Sequence, residues 1–263
     1  MTTTSRLQDA LATRAQVWGG WVVGPTVLGP EEFAQAGYGY VGFDVQHGYL
    51  SDADVALMLR RLEHVDIGTV VRLPGADTAA IGRVLDAGAD GVVIAMVESA
   101  EQAAAAVAAT RYAPRGVRSF GPLRASLGVD PGALEARTSV FAMIETARGL
   151  TALDDICAVD GLTGIYVGPA DLAISLGYRP TDGFSEPTVR DAILRIHHTA
   201  TAAGLVAGIH AGAGKFGNMM AQEGFQMITL ASESQALRRG AAAHLAEAVG
   251  ADPGDTPAAG GYR

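Results

Sequence analysis

The sequence predicts one domain with the α/β fold of a closed (β/α)8 barrel, also called a TIM barrel. Eight short apolar segments alternate with helix-like segments along the chain, and such alternation favours a parallel sheet. The chain has 263 residues and 49% hydrophobic content, which suits a barrel of about 250 residues. An open, doubly wound sheet is the alternative fold.

Each predicted strand ends where a glycine, a proline or a polar residue interrupts an apolar run. Pro30 starts the first of the following helices, and Ser51 is the N-cap of the amphipathic segment DADVALMLRRLEHV. The predicted strands cover residues 17–23, 40–44, 68–73, 91–95, 140–144, 162–167, 205–210 and 225–230.

The predicted helices lie before, between and after these strands. They cover residues 6–15, 30–36, 52–65, 78–87, 99–110, 146–159, 186–203, 213–223 and 233–249, and another helix-like segment opens at residues 170–171. Residues 112–126 form a predicted loop whose arginines, Arg115, Arg118 and Arg124, follow a helix and therefore belong to the opposite face of the barrel. The predicted barrel domain is 1–250, and the Gly/Pro/Ala-rich residues 251–263 are predicted to be a flexible tail.

Composition and charge restrict the partners of this protein. The net charge of −9 and the pI of about 5.1 provide no basic surface for a nucleic-acid backbone. No apolar stretch reaches the roughly 18 residues of a membrane span, and the first residues lack the apolar core of a signal peptide. The single cysteine, Cys157, cannot form an internal disulfide. We therefore expect a cytoplasmic protein without nucleic-acid or membrane partners.

Ionisable residues lie at the ends of five predicted strands. Asp44 and His47 follow the second strand, Arg72 the third, Glu145 the fifth, Asp171 the sixth and His210 the seventh. In a parallel barrel these strand ends share one face, where catalytic groups collect. We therefore expect the six side chains to surround one mouth of the barrel, with His210 either lining the pocket or serving a structural role.

Glu145 and Asp171 are the strongest candidates for a metal site. Their carboxylate oxygens are hard ligands, and neither strand end has a cysteine or histidine. This donor set suits Mg²⁺, Mn²⁺ or a similar divalent ion. The alternative is that both are ordinary acids at helix starts, which the helix dipole favours.

Several motifs together resemble the HpcH/HpaI family of metal-dependent class II pyruvate aldolases. In chain order they are GYGYVGFDVQHG, VVRLPGADTAAIGRVLDAGADGVVIAMVESAEQA, YAPRGVRSFGP, MIET and IYVGPADLAISLG, and the match covers residues 18–250. The resemblance implies an enzyme that reversibly cleaves a 4-hydroxy-2-oxo acid to pyruvate and an aldehyde. It also implies a homo-oligomer, namely a hexamer built as a trimer of dimers.

By this resemblance, Glu145 and Asp171 hold a divalent ion, which is Mg²⁺, Mn²⁺ or Co²⁺ and binds the 2-oxo acid. The ion and Arg72 would together stabilise the negative charge of a pyruvate enolate. His47 would be the base that takes the proton from the C4 hydroxyl group. Asp86 is implied to pair with this histidine.

The resemblance also assigns roles to residues around the metal. Asp44 is implied to orient a metal-bound water. Gly168, Ala170 and Asp171 begin a helix whose free backbone N–H groups are expected to bind the substrate carboxylate. Trp21 either forms a wall of the pyruvate pocket or packs in the core.

Two residues depart from the family pattern. Gln46 stands where many members have Glu, and Met143 stands where many have Gln. These changes remove a negative charge and a polar contact, so they bear on substrate preference and on aldolase activity.

Other functions are compatible with the sequence. A related lyase would act on a CoA thioester or decarboxylate a 2-oxo acid, although no basic nucleotide-binding cluster favours the thioester. A Schiff-base aldolase would need Lys215, the only lysine among the 19 positively charged residues. A non-catalytic barrel would keep the fold without needing the acids, the arginine and the histidine together.

Overall fold

The computed structural model describes residues 4–250, which form a closed barrel of eight parallel strands. The strands are β1 (Val17–Val22), β2 (Tyr40–Asp44), β3 (Gly68–Leu73), β4 (Gly91–Ile94), β5 (Ser139–Ile144), β6 (Gly164–Val167), β7 (Val206–His210) and β8 (Met227–Ser232). Neighbouring strands pair in sequence order, and β8 pairs with β1 to close the sheet. The predicted (β/α)8 barrel is confirmed, and the open sheet is wrong.

Helices surround this barrel and connect its strands. They are α1 (Arg6–Thr13), α2 (Leu28–Gln35), α3 (Asp52–Arg61), α4 (Thr78–Asp86), α5 (Ala100–Thr110), α6 (Pro131–Ala136), α7 (Ala147–Thr151), α8 (Leu153–Cys157), α9 (Pro169–Ser175), α10 (Pro187–Ala202), α11 (Gly214–Gln222) and α12 (Glu233–Val249). Within residues 4–250, no helix is both long and apolar enough to cross a membrane. The predicted tail, 251–263, lies outside the described residues.

Two helices differ from the sequence prediction. The short helix α6 was not predicted, although Asp130 caps it by accepting the N–H of Ala133. The helix predicted after β5 is divided into α7 and α8, because Ala152 leaves helical geometry at φ −88° and ψ 8°. Both differences lie outside the strands, so they do not move the strand ends.

Aromatic side chains fill the middle of the barrel. The hydroxyl groups of Tyr40 and Tyr166 both lie within hydrogen-bond distance of Thr229 Oγ1, at 2.7 Å and 2.5 Å. At the amino ends of the strands, α1 inserts the fully buried Leu7 against Gly68. The interior is therefore a packed core, as expected for this fold, and a substrate has to bind at the carboxyl ends of the strands.

Gly42 makes room for Trp21 at the upper layer of this core. The two residues are paired across β1 and β2, and a Cβ atom on Gly42 would overlap the indole ring of Trp21. Trp21 is only 2% exposed, so its ring has little space to move. The position of Trp21 thus depends on a glycine in the neighbouring strand.

We expect Gly42→Ala to destabilise the protein by about 1 to 3 kcal/mol, because overpacking forces neighbouring side chains or backbone to shift. Urea unfolding followed by far-UV circular dichroism measures the change. The matched control is Gly82→Ala inside α4, where an added Cβ meets no atom within 4 Å. This control should be neutral or slightly stabilising, since alanine is the better helix former. Equal effects of both substitutions would contradict the packing argument.

Candidate active site

A buried cluster of Trp21, Asp44 and Arg72 forms the floor of the carboxyl-terminal mouth. Arg72 donates to both carboxylate oxygens of Asp44, from Nε over 3.0 Å and from Nη2. Trp21 Nε1 donates to the same carboxylate over 3.0 Å, and the guanidinium lies 5.4 Å from the centre of the indole ring. Each of the three residues is at most 2% exposed. The cluster therefore holds Arg72 in one orientation.

Asp44 also fixes the loop that contains His47. Its Oδ1 accepts the backbone N–H groups of Gln46 and His47, each over 3.0 Å, while the His47 side chain is exposed. Burial alone would raise the pKa of Asp44, but the hydrogen bonds and charge of Arg72 hold this pKa below its usual value. Five N–H groups thus occupy a carboxylate with about four lone-pair sites. The role of Asp44 in orienting a metal-bound water stays a prediction.

Glu145 is buried at the end of β5, with 1% of its surface exposed. Its Oε1 accepts the N–H of Met96 over 2.8 Å, and its Oε2 occupies space that a side chain at position 168 would need, so Gly168 is required there. Burial raises the pKa of Glu145 to about 7, with a smaller contribution from the negative charge of Asp171. The protein atoms alone therefore leave this carboxylate without sufficient compensating positive charge.

Glu145 and Asp171 together fit a hard divalent cation. The two carboxylates are close enough for the charge of one to raise the pKa of the other, and a cation between them would reverse that effect. Across residues 4–250, no group of three or more His, Cys, Asp and Glu side chains is arranged to hold a metal. The protein would therefore supply two oxygen ligands and leave other positions for substrate and water.

The start of α9 lies beside Glu145. The N–H of Gly168 already donates to the carbonyl of Ile144 over 3.4 Å. Ala170 and Asp171 lie in the first turn of the helix, where backbone N–H groups have no carbonyl one turn earlier. The expected carboxylate-binding site is thus reduced from three backbone donors to two.

His210 is the last residue of β7, the strand beside β6. Its ring meets the indole ring of Trp21 edge to face, with 5.2 Å between the ring centres. The charges of Arg72 and Asp44 both act on its pKa, which places the imidazole near the floor cluster. Lys215, by contrast, is exposed in the first turn of α11.

Asp86, the residue expected to pair with His47, lies at the end of α4. α4 runs back from the mouth, so Asp86 at its end lies near the amino ends of the strands. There its Oδ1 accepts from Nη2 of Arg118 over 2.8 Å, and its carbonyl accepts the N–H of Leu123 over 2.8 Å. Within its own chain Asp86 is thus a partner of Arg118, and its expected pairing with His47 stays a prediction.

The arginine loop lies on this opposite face, as predicted. Arg118 is paired with Asp86, Arg124 with Glu63 over 3.1 Å, and Arg115 with Glu135. These ion pairs attach the loop to its own chain.

Two residues that support the site were not identified from the sequence. Met96, after β4, has a positive φ of 55° and directs its N–H to Glu145. Glu233, at the start of α12, accepts the N–H groups of Val23 and Gly24 over 2.8 Å and 2.9 Å, and so holds the loop after β1. Glu233 was identifiable only as a helix-start acid, and no sequence signal marks the backbone of Met96.

The two departures from the family pattern both lie at the site. Met143 is buried in the barrel interior, and its Cε atom lies beside Gly168 and therefore near Glu145. Gln46 is partly buried next to His47, and its N–H donates to Asp44. Both substitutions make the surroundings of the acids less polar or less charged than the family pattern does.

The fold and the site define the class of the protein. Two carboxylates, a fixed guanidinium and a histidine at the carboxyl ends of barrel strands form the arrangement of a TIM-barrel enzyme. Residues 19–240 match the HpcH/HpaI aldolase/citrate lyase family, and the chain belongs to this family. The family predicted from the motifs is confirmed.

Comparisons with individual proteins agree with this assignment. A hydroxypyruvate/pyruvate aldolase from Rhizorhabdus wittichii is 38% identical over 87% of this chain and 92% of its own length. A 4-hydroxy-2-oxovalerate aldolase from Rhodococcus jostii is 36% identical over 77% of this chain and 80% of its own length. The crystal structure of an HpcH/HpaI family protein from Burkholderia cenocepacia superposes with a TM-score of 0.85 at 30% identity, covering 94% of this chain and 100% of that chain.

Proposed function

We propose that the protein is a class II pyruvate aldolase that reversibly cleaves a 4-hydroxy-2-oxo acid to pyruvate and an aldehyde. The observation that carries the proposal is the position of Arg72, which is buried, held by Asp44, and close enough to Glu145 to lower its pKa. A fixed positive charge and two acids thus face one space at the mouth. The aldolase names of the relatives support the same reaction.

In the cleavage direction, the C3–C4 bond breaks and its electrons move to the C2 keto oxygen. Arg72 keeps its charge at all working pH values and is already oriented, so it stabilises the negative charge on that oxygen without reorganisation. A divalent ion held by Glu145 and Asp171 would supply further positive charge there. The N–H groups of Ala170 and Asp171 bind the substrate carboxylate.

His47 takes the proton from the C4 hydroxyl group. Its side chain is exposed on a loop that Asp44 fixes, so it can reach the aldehyde part of the substrate from the solvent side. Loss of this proton forms the aldehyde carbonyl as the C3–C4 bond breaks. A proton returned to C3 then completes pyruvate.

The test is pyruvate release from racemic 4-hydroxy-2-oxovalerate, coupled to lactate dehydrogenase, with metal-stripped enzyme before and after addition of Mn²⁺ or Mg²⁺. We expect activity only after metal addition. Lys215→Arg should keep this activity, and borohydride with pyruvate should not inactivate the enzyme. Metal-independent release that is lost in Lys215→Arg would instead establish a Schiff-base mechanism. No release with several 4-hydroxy-2-oxo acids would favour a related lyase or a binding function.

We also propose that the protein is a homo-oligomer. Support comes from α12, which leaves Leu237, Leu245 and Val249 between 65% and 75% exposed. A groove of about 270 Å³ that includes Trp18 and Leu230 adds a second partly apolar surface. Such surfaces commonly mark contacts between subunits. The hexamer implied by the resemblance predicts six chains by mass photometry, and a monomeric mass at micromolar concentration would contradict any oligomer.

A further inference from the structure

The position of His47 depends on the backbone of its loop, which is the β2 loop (residues 45–51). The side chains of His47 and Tyr49 are both exposed, so packing against neighbouring side chains does not fix them. At the start of the loop, Asp44 accepts the N–H group of His47. Further along, the N–H group of Tyr49 donates to the carbonyl of Val23 over 2.7 Å. His47 therefore lies between two anchors, and the second belongs to the β1 loop (residues 23–27).

Gly48 brings the β1 and β2 loops into direct contact. A Cβ atom at this position would lie 2.6 Å from the carbonyl oxygen of Asp44 and 2.8 Å from that of Val23. Both distances are too short for any side chain, so the two loops pack backbone against backbone beside His47. A displacement of Val23 would consequently be transmitted to the residue that follows His47.

Glu233 holds Val23 in place. β8 pairs with β1 as far as Trp21 and Ser232, and the next residue along the chain from Ser232 is Glu233. Its Oε1 accepts the N–H groups of Val23 and Gly24 over 2.8 Å and 2.9 Å, beyond the last residue of β1. Its Oε2 is buried and accepts no hydrogen bond within residues 4–250. In this part of the chain, the carboxylate thus serves the β1 loop.

We propose that Glu233 is a positioning residue for His47, acting through the β1 loop and the carbonyl of Val23. The inference rests on the proposed aldolase function, in which His47 takes the proton from the C4 hydroxyl group. A general base has to lie within hydrogen-bond reach of that proton, and a displacement of about 1 Å can cost about a hundredfold in rate. Glu233 would affect the rate without contacting the substrate.

Two substitutions disturb this connection from opposite ends. Glu233→Ala removes the acceptor of the β1 loop, and Gly48→Ala forces the two loops apart. We expect each to lower kcat for cleavage of 4-hydroxy-2-oxovalerate by about tenfold to a hundredfold. Glu233→Gln keeps an oxygen that accepts both N–H groups and should keep most of kcat. The matched control is Glu101→Ala, which removes an exposed acid from the first turn of α5 and should leave kcat unchanged.

Inhibition by oxalate separates a misplaced base from a damaged site. Oxalate resembles a pyruvate enolate but has no C4 hydroxyl group, so its binding depends on the divalent ion and Arg72 rather than on His47. At saturating Mn²⁺, the inhibition constant of oxalate should be the same in Glu233→Ala, Gly48→Ala and the wild type. A general loss of structure at the mouth would weaken oxalate binding as well as lower kcat.

Combination with His47→Ala tests whether Glu233 acts through the histidine. If it does, Glu233→Ala should lower kcat no further in a protein that already lacks the imidazole. Two residues that act independently would instead give losses that multiply. Pyruvate release coupled to lactate dehydrogenase, with a raised enzyme concentration for the slow variants, measures kcat for the wild type, the two single variants and the double variant.

The outcomes distinguish this inference from the proposed function. Losses that multiply in the double variant, or weaker oxalate inhibition in Glu233→Ala, would overturn the positioning role and leave the aldolase intact. A loss in Glu233→Gln as large as in Glu233→Ala would also overturn it, because the charge and not the held loop would then be required. No metal-dependent pyruvate release by the wild-type enzyme would contradict the proposed function itself.

Discussion

Glu145→Gln is expected to lower metal-dependent pyruvate release by a factor of about 10³ or more and to weaken binding of the metal. The substitution preserves size and an oxygen that can accept the N–H of Met96. It removes the negative charge, which a hard divalent ion requires for strong binding. Steady-state kinetics at saturating Mn²⁺, together with calorimetric titration of Mn²⁺ into the stripped protein, measure both effects.

The same substitution should stabilise the metal-free fold at pH 8. The pKa of Glu145 is raised from 4.5 to about 7 in the folded protein, so the folded state holds the proton more tightly than the unfolded state. Its contribution to stability is complete below pH 4.5 and is lost as the pH rises through 7. At about 1.4 kcal/mol per pH unit, the loss amounts to roughly 3 kcal/mol.

Urea unfolding in EDTA at pH 5 and pH 8 tests this sign, because only the wild-type protein should lose stability through Glu145 over that interval. Glu247→Gln, at an exposed position in α12, is the matched control and should change neither activity nor stability. A Glu145→Gln variant that keeps metal-dependent activity would exclude Glu145 as a ligand. If the Glu145→Gln variant were less stable than the wild type at pH 8, the conclusion that the charged Glu145 carboxylate destabilises the metal-free fold would be wrong.

The sequence was sufficient to predict which residues meet at the mouth, and the reason is topological. Strand ends in a parallel barrel share one face, so identifying the ends of β2, β3, β5 and β7 also located Asp44, Arg72, Glu145 and His210. No contact between the residues had to be known. The same reasoning correctly located the arginine loop on the opposite face.

Contacts that depend on exact geometry were not predictable in this way. The support of Glu145 by Met96 arises from a backbone with positive φ, which no residue type in GVVIAM indicates. Both carboxylate oxygens of Asp44 accept hydrogen bonds. These bonds depend on the directions of Trp21, Arg72 and the backbone after β2, which the sequence does not specify. The pairing expected for Asp86 came from a resemblance and stays a prediction, whereas its bond to Arg118 depends on where the loop after α5 returns to α4.

Arg72→Lys should lower kcat for cleavage by about 10² to 10³, the usual effect of losing one oriented donor to a developing oxyanion. Lysine keeps the positive charge but cannot make two parallel bonds to Asp44, so its ammonium group would not be fixed toward the keto oxygen. Pyruvate release under saturating substrate and metal measures the change. The control is Arg83→Lys, whose partner Asp52 lies 2.8 Å away on the surface, and whose effect on activity should be absent.

Removing the positive charge of Arg72 completely distinguishes its effect on catalysis from its effect on the stability of the fold. Arg72→Met leaves Asp44 buried without its cation, which typically costs about 3 to 5 kcal/mol, whereas Arg72→Lys leaves a positive charge nearby. Replacing both partners, as in Asp44→Asn with Arg72→Met, should recover part of that stability and none of the activity. If the double variant were as unstable as Arg72→Met, the pair would not be the source of the loss. If Arg72→Lys were fully active, the guanidinium would have no role at the keto oxygen, and the charge balance of the mouth would have to come from the metal alone.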